Sequence, residues 1–267
     1  MKAGRTLLAG LLLAATAMAG DLGAGWQALA NYRAARALEV FDRELNASDL
    51  ARQREARFGR GVALLDRQPV SPSQVEEARA ILTGLADSGT DDSAQGARFF
   101  LGRIAQHHLA VPDAAEAARQ YRRLIAEHEN SVWAQTALSR LALVEIYELD
   151  QDQAPAARLA EAEKLLAHAR LPAAESEVRL VIADAIFFYR LPSGPALPHL
   201  LAAEKLGRMD WTVRMDVLVQ IAELSRLEGN RAQAAKFYRQ FLKENPRDLR
   251  HYNVQQRLAE MEKAAAK

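Results

Sequence analysis

The sequence has no cysteine and is poor in glycine, proline and aromatic residues. Its 267 residues include 14 Gly and 9 Pro, and aromatic residues make up 6%. Without thiols, the chain cannot form disulfides or thiolate metal sites. An all-β sandwich or barrel needs a turn about every 8–12 residues, and so few glycines and prolines do not supply them.

The chain also carries almost no net charge, with 35 Lys and Arg against 34 Asp and Glu. Because nucleic-acid binding depends on clustered basic residues, this balance argues against a nucleic-acid partner. What the sequence has in excess is alanine, at 53 residues. Alanine is the strongest helix former, so the composition predicts an all-α protein.

The first 19 residues have the pattern of a secretory signal peptide. Lys2 and Arg5 precede an uncharged apolar segment that ends in a small-x-small cleavage site at 17–19. A membrane anchor is the alternative, but a span needs about 20 apolar residues and this run is shorter. No lipobox cysteine is present. We therefore expect a cleaved signal and a periplasmic or secreted mature chain, residues 20–267, with no membrane span.

The rest of the chain has the pattern of consecutive helix pairs. Between residues 214 and 244, apolar residues recur every three or four positions, and Gly229-Asn230 interrupts them as a turn would. Pro246 then ends the second helix. The same pattern predicts helices in segments 31–46, 54–86 with a break at 69–72, 95–129 with a break at 111–113, 132–149, 156–169, 175–189, 197–206 and 251–261.

Two first helices begin with nearly the same motif. Ala56–Gly61 reads Ala-Arg-Phe-Gly-Arg-Gly, and Ala97–Gly102, which starts 41 positions later, reads Ala-Arg-Phe-Phe-Leu-Gly. A single helix pair cannot bury its apolar face alone, so such repeats stack on their neighbours. This similarity predicts a repeat of helix pairs.

The spacing of Ala234, Tyr238, Phe241 and Pro246 resembles the second helix of a tetratricopeptide repeat, a unit of about 34 residues. In that family small residues lie where the paired helices cross, which here implies Ala222 and Ala234, with larger residues filling the core around them. The sequence departs from the family where a large aromatic is expected near Ser225 and a small residue near Phe241. The resemblance is tightest over segments 97–129 and 215–248.

This resemblance implies a right-handed α-solenoid of stacked antiparallel helix pairs, a superhelix like that of the tetratricopeptide repeat proteins. It would form a single domain over residues 20–267, with a C-terminal capping helix at about 249–263.

No sequence motif in the chain supplies a catalytic site. The His-Glu-x-x-His, Gly-x-Ser-x-Gly and phosphate-binding Gly-x4-Gly-Lys motifs are all missing from the sequence. His107 and His108 are adjacent on a predicted helix, so their side chains point about 100° apart. Gly59-x-Gly61 lies inside a predicted helix, without the strand that a dinucleotide site needs. We therefore predict no enzyme activity and no catalytic, cofactor or metal site.

In the resembled family, the first helix of each pair lines a concave groove that binds a partner. The resemblance implies a non-catalytic interaction scaffold or adaptor of the bacterial cell envelope that holds a protein or peptide. Two alternatives stay open, a helical accessory subunit of a secretion or cell-wall enzyme complex and an enzyme with an unrecognised site. Phe58 and Phe188 are further aromatic residues in excess of the repeat core. The groove residues that we predict are Phe99, Arg103, Gln106, Ser139, Leu143, Asp184, Phe187, Glu223 and Arg226.

Overall fold

The computed structural model describes residues 21–149 and 152–265, and the regular structure in these two ranges is helical. The prediction of an all-α protein is confirmed. Thirteen α-helices over the described ranges pack as sequential antiparallel pairs, each against its neighbours in sequence, which is consistent with a helical repeat array. The helices are α1 (Asp21–Ala30), α2 (Ala34–Glu44), α3 (Leu50–Asp66), α4 (Pro72–Asp87), α5 (Asp92–His107), α6 (Ala114–His128), α7 (Val132–Tyr147), α8 (Pro155–Lys164), α9 (Pro172–Phe188), α10 (Ala196–Leu206), α11 (Trp211–Leu227), α12 (Arg231–Glu244) and α13 (His251–Ala265).

The predicted signal peptide, residues 1–19, lies outside the described residues. Within the described part of the chain, no helix has both the length and the apolar character needed to cross a membrane.

Turn residues that interrupt the apolar pattern separate the helices where the sequence predicts. Gly229 adopts a left-handed φ of 79° between α11 and α12, and the Asn230 side chain then accepts the backbone N–H of Gln233 at 3.1 Å. The Asp113 side chain caps α6 in the same way by accepting the N–H of Glu116 at 2.8 Å. Such caps satisfy backbone donors that have no partner within the helix.

Two segments differ from the sequence prediction. Helix α1 was not predicted, although Leu22, Trp26 and Leu29 are buried at helical spacing. The predicted helix 156–169 is α-helical only to Lys164 and continues as a 3₁₀ turn over Leu165–His168.

The chain divides into two compact units, one ending at residue 137 and the other starting at residue 138, so the boundary falls within α7. The N-terminal unit has an aromatic core. Trp26 packs against Phe41 and Phe58 with ring centroids 5.1 and 5.5 Å apart, and Phe99 lies 5.9 Å from Tyr121. Aromatic pairs at these distances stabilise a core beyond the area that they bury.

The glycines that end the repeated motif explain how paired helices come close together. A Cβ on Gly61 would lie 3.0 Å from Cδ2 of Leu82, and a Cβ on Gly102 would lie 2.5 Å from Cε1 of Tyr121. Each contacted side chain belongs to the second helix of the same pair. The motif therefore combines a core phenylalanine with a glycine that leaves room for the partner helix.

In the C-terminal unit, the packing predicted for α11 and α12 is confirmed. Ala222 and Ala234 are fully buried, as are Leu218 and Ile221. Tyr238 is 0% exposed, and its hydroxyl donates to Oε1 of Glu223 at 2.7 Å. The hydroxyl group thus keeps a partner while the ring fills the core.

Candidate partner-binding surface

Three of the nine predicted groove residues are buried. Phe99 is only 2% exposed and packs against Tyr121 in the core of the N-terminal unit. Gln106 accepts the Tyr121 hydroxyl at 3.2 Å, and the Ser139 hydroxyl donates to Glu177 at 3.0 Å. These side chains present almost no surface, so their contacts are structural. Phe58, the further aromatic in the N-terminal unit, is buried as well.

The other six predicted residues retain solvent contact, and they are divided between the two units. Arg103 belongs to the N-terminal unit. The residues in the C-terminal unit are Leu143, Asp184, Phe187, Glu223 and Arg226.

Glu223 and Arg226 form part of an ionic network that ties α11 to α12 and α13. Arg226 pairs with Glu223 at 3.0 Å, and Glu223 also accepts from Tyr238 and pairs with Arg257. Burial alone would raise the pKa of Glu223, but the hydrogen bonds from Tyr238 and Arg226 and the charge of Arg257 hold it below its usual value. Both predicted residues therefore already have structural partners.

An exposed aromatic cluster lies where α7 and α9 end in the C-terminal unit. We call Tyr147, Phe188 and Tyr189 the aromatic surface. Phe188 is 67% exposed, and its ring makes edge contacts with Tyr147 and Tyr189 at 5.3 and 4.9 Å. Tyr147 and Tyr189 stack at 5.8 Å. Phe188 is therefore held against a fixed support while its ring stays open to solvent.

Hydrogen bonding and a cation fix the position of Tyr189. Its hydroxyl donates to the carbonyl of Ile146 at 3.1 Å, and the guanidinium of Arg158 lies 5.0 Å from its ring centroid. Arg158 itself donates to the same carbonyl at 2.6 Å. The support beneath Phe188 is thus anchored by contacts from both α7 and α8.

Asp184 lies one helical turn before Phe188 and makes no hydrogen bond or ion pair with another described residue. Although its side chain keeps some solvent contact, neighbouring helices partly desolvate it. This desolvation, together with the charge of Asp216, raises the pKa of Asp184. Burial, Asp184 and Tyr189 raise the pKa of Tyr147 to about 12, so its hydroxyl stays neutral near pH 7.

Replacing Asp184 with asparagine is expected to stabilise the protein near neutral pH. The pKa of Asp184 is raised in the folded protein, so folding favours the protonated carboxyl group. The contribution of this group to stability is therefore most favourable below its unfolded-state pKa, and it is lost as the pH rises through its folded-state pKa. Urea unfolding of wild type and Asp184→Asn at several pH values measures this. We expect the advantage of the variant at pH 7 to shrink towards pH 3, and an advantage that is independent of pH would contradict this explanation.

Tyr147 and Tyr189 were not predicted as members of this surface. One available signal was the run Phe187-Phe188-Tyr189, since three consecutive residues of a helix cannot all face the same core. The contact with Tyr147 joins residues 41 positions apart, and the spacing alone does not predict it.

Within the part of the chain that the structure describes, no group of three or more His, Asp or Glu side chains is placed to hold a metal ion. No protein-family model and no curated protein matches the sequence.

Proposed function

We propose that the protein is a non-catalytic scaffold of the bacterial cell envelope, built from tetratricopeptide-like helix pairs, and that it binds a segment of a partner protein through the aromatic surface. The observation that carries this proposal is the exposure of Phe188 beside Asp184, a carboxylate without a cationic partner among the described residues. A large aromatic side chain that is two-thirds exposed is unfavourable in water, and contacts with a partner would remove that surface from solvent.

The charges around Phe188 favour a partner segment of particular chemistry. Asp184 has no cationic partner among the described residues. The charge of Asp216 acts on Asp184, and Asp216 itself forms an ion pair with Arg250 at 2.7 Å. A segment that places an apolar side chain on Phe188 and a Lys or Arg near Asp184 complements both features. Because Tyr147 and Tyr189 already hold the ring, binding would cost little side-chain entropy.

The cellular location and the repeat family in this proposal come from the sequence. The signal-peptide pattern supports an exported protein. The sequential antiparallel pairs are compatible with the tetratricopeptide resemblance, and proteins built in this way commonly bind extended or helical partners.

The test compares binding by three variants of the mature protein. The double variant Phe188→Ala/Asp184→Asn is expected to lose about 30-fold in affinity for a partner segment identified by crosslinking to the wild type, as expected for an interface hot spot. Tyr252→Ala is the matched control, because Tyr252 is 65% exposed in the same unit but lies on α13.

Circular dichroism first establishes that all variants are folded. Equal affinity of the double variant and the wild type would reject the aromatic surface as the binding site. An equal loss with Tyr252→Ala would show that the effect is not specific to that surface.

A further inference from the structure

Two adjoining pockets open between α4, α5 and α6 in the N-terminal unit, away from the aromatic surface in sequence. Their volumes are about 420 and about 310 Å³. Both pockets are lined by Asp87, Arg98 and Arg123. Because the two pockets share these charged residues, we treat them as one cleft and call it the α4–α6 cleft.

Arg98 is the most unusual charged group in this cleft. The residue is only 6% exposed, yet its one hydrogen bond among the described residues runs from Nη2 to the carbonyl of Ala86 at 3.1 Å. A guanidinium has five N–H donors, so most of them lack an acceptor among the described residues. The nearest carboxylate is that of Glu127, at 4.0 Å from Nε.

The surroundings of Arg98 do not fully compensate its charge. Burial and the positive charge of Arg123 lower the pKa of Arg98, and Glu127 and Asp87 offset this only in part. Glu127 already pairs with Arg123 at 2.7 Å. A buried cation with an incomplete set of acceptors favours a ligand that brings a negative group.

The other carboxylates and guanidinium groups that line the cleft have partners of their own. Arg79 pairs with Glu76 at 3.7 Å. Glu116 pairs with Arg119, and Asp113 accepts the first-turn N–H of α6. Asp87 differs from these groups, since it makes no hydrogen bond or ion pair with another described residue and is exposed at the cleft. Among the described carboxylates and guanidinium groups of the cleft, the one cation without an ion pair closer than 4.0 Å is therefore Arg98, and the one anion without a hydrogen bond or ion pair is Asp87.

The end of α4 at this cleft has the same polarity as Asp87. Asp87 is the last residue of α4, where the helix dipole favours a cation, whereas the start of α5, five residues later, is already capped by the Asp91 carboxylate. Arg54 fixes the intervening turn by bonding Ser88 at 2.9 Å and Asp91 at 3.1 Å. The two ends are thus held in place before any ligand arrives.

From these contacts we infer that the α4–α6 cleft binds a small zwitterion of the free α-amino acid class. Its carboxylate accepts from the unused N–H groups of Arg98, and its ammonium donates to Asp87. A guanidinium binds a carboxylate through two parallel hydrogen bonds, which suits this assignment. A simple anion would satisfy Arg98 but would leave Asp87 unpaired and repel it.

Isothermal titration calorimetry of the folded mature protein tests this site with defined probes. The probes are a panel of free α-amino acids, their N-acetylated forms, their carboxamides and inorganic phosphate. We expect binding by at least one free amino acid, and a loss of about tenfold or more in affinity when either its ammonium or its carboxylate is blocked.

Variants connect the binding to the two charges. Asp87→Asn is expected to weaken amino-acid binding about tenfold. Glu39→Gln removes the same charge from an exposed position on α2, outside the cleft, and is expected to change nothing. Arg98 also donates a hydrogen bond to the carbonyl of Ala86 at the end of α4, so its replacement can affect folding as well as binding. Asp87→Asn is therefore the deciding variant.

Three results would overturn the inference. The first is no binding by any free amino acid in the panel. The second is equal binding of the N-acetylated forms or of phosphate, which would indicate a site for a simple anion. The third is unchanged affinity in Asp87→Asn. None of these results bears on the aromatic surface, which involves different residues in the other unit.

Discussion

Replacing Tyr238 with alanine is expected to lower the free energy of unfolding by about 3–4 kcal/mol. The ring is 0% exposed between α11 and α12, so truncation leaves a cavity in the core of the C-terminal unit. It also removes the hydroxyl that donates to Glu223 at 2.7 Å. Urea unfolding monitored by circular dichroism measures the change.

The control is Tyr238→Phe, which keeps the ring and removes only the hydroxyl. Glu223 retains Arg226 and Arg257 as partners, so we expect a loss of about 1 kcal/mol. A loss below about 1 kcal/mol in Tyr238→Ala would mean that the ring does not fill the core, and it would contradict the packing of this helix pair.

Replacing Gly102 with alanine is expected to destabilise the N-terminal unit by about 2–3 kcal/mol, the scale of overpacking in a closed core. The added Cβ would lie 2.5 Å from Cε1 of Tyr121. That ring is fully buried against Phe99 and its hydroxyl is bonded to Gln106, so it has little room to move. Helices α5 and α6 would have to separate.

Gly84→Ala is the matched control, because it is the same substitution inside helix α4 of the same unit. No heavy atom lies within 4 Å of a Cβ at that position. We expect this variant to gain about 0.5–1 kcal/mol, since alanine favours a helix interior over glycine. Thermal unfolding of both variants would therefore shift in opposite directions. If both substitutions stabilise the protein, the close approach at Gly102 is wrong.

Local patterns predicted much of this fold. The turn at Gly229-Asn230 follows from turn chemistry, which acts over a few residues, and the alanines at the α11–α12 crossing were implied by the tetratricopeptide resemblance. Helix α1 was missed because it starts immediately after the predicted signal peptide, in a short segment with glycines at positions 20, 23 and 25. Its stability comes from tertiary packing of Trp26 against Phe41, which periodicity does not reveal.

The proposed binding surface was less predictable than the fold for a similar reason. Phe99 and Phe187 are both aromatic residues on first helices. Phe99 is buried by Tyr121 and Trp133 from other helices, whereas Phe187 retains solvent contact. Phe188 stays exposed because α9 ends there and its aromatic neighbours Tyr147 and Tyr189 leave most of its ring uncovered. Whether an aromatic residue belongs to the core thus depends on which side chains other helices bring to it.

Photocrosslinking from position 188 tests the central claim most directly. A benzophenone side chain is placed at Phe188 in the mature protein and, as a control, at Tyr252. The proposal predicts a crosslink from position 188 to one partner segment, with an apolar residue beside a Lys or Arg, and no crosslink to that segment from position 252. Crosslinks to the same segments from both positions, or none from position 188, would contradict it.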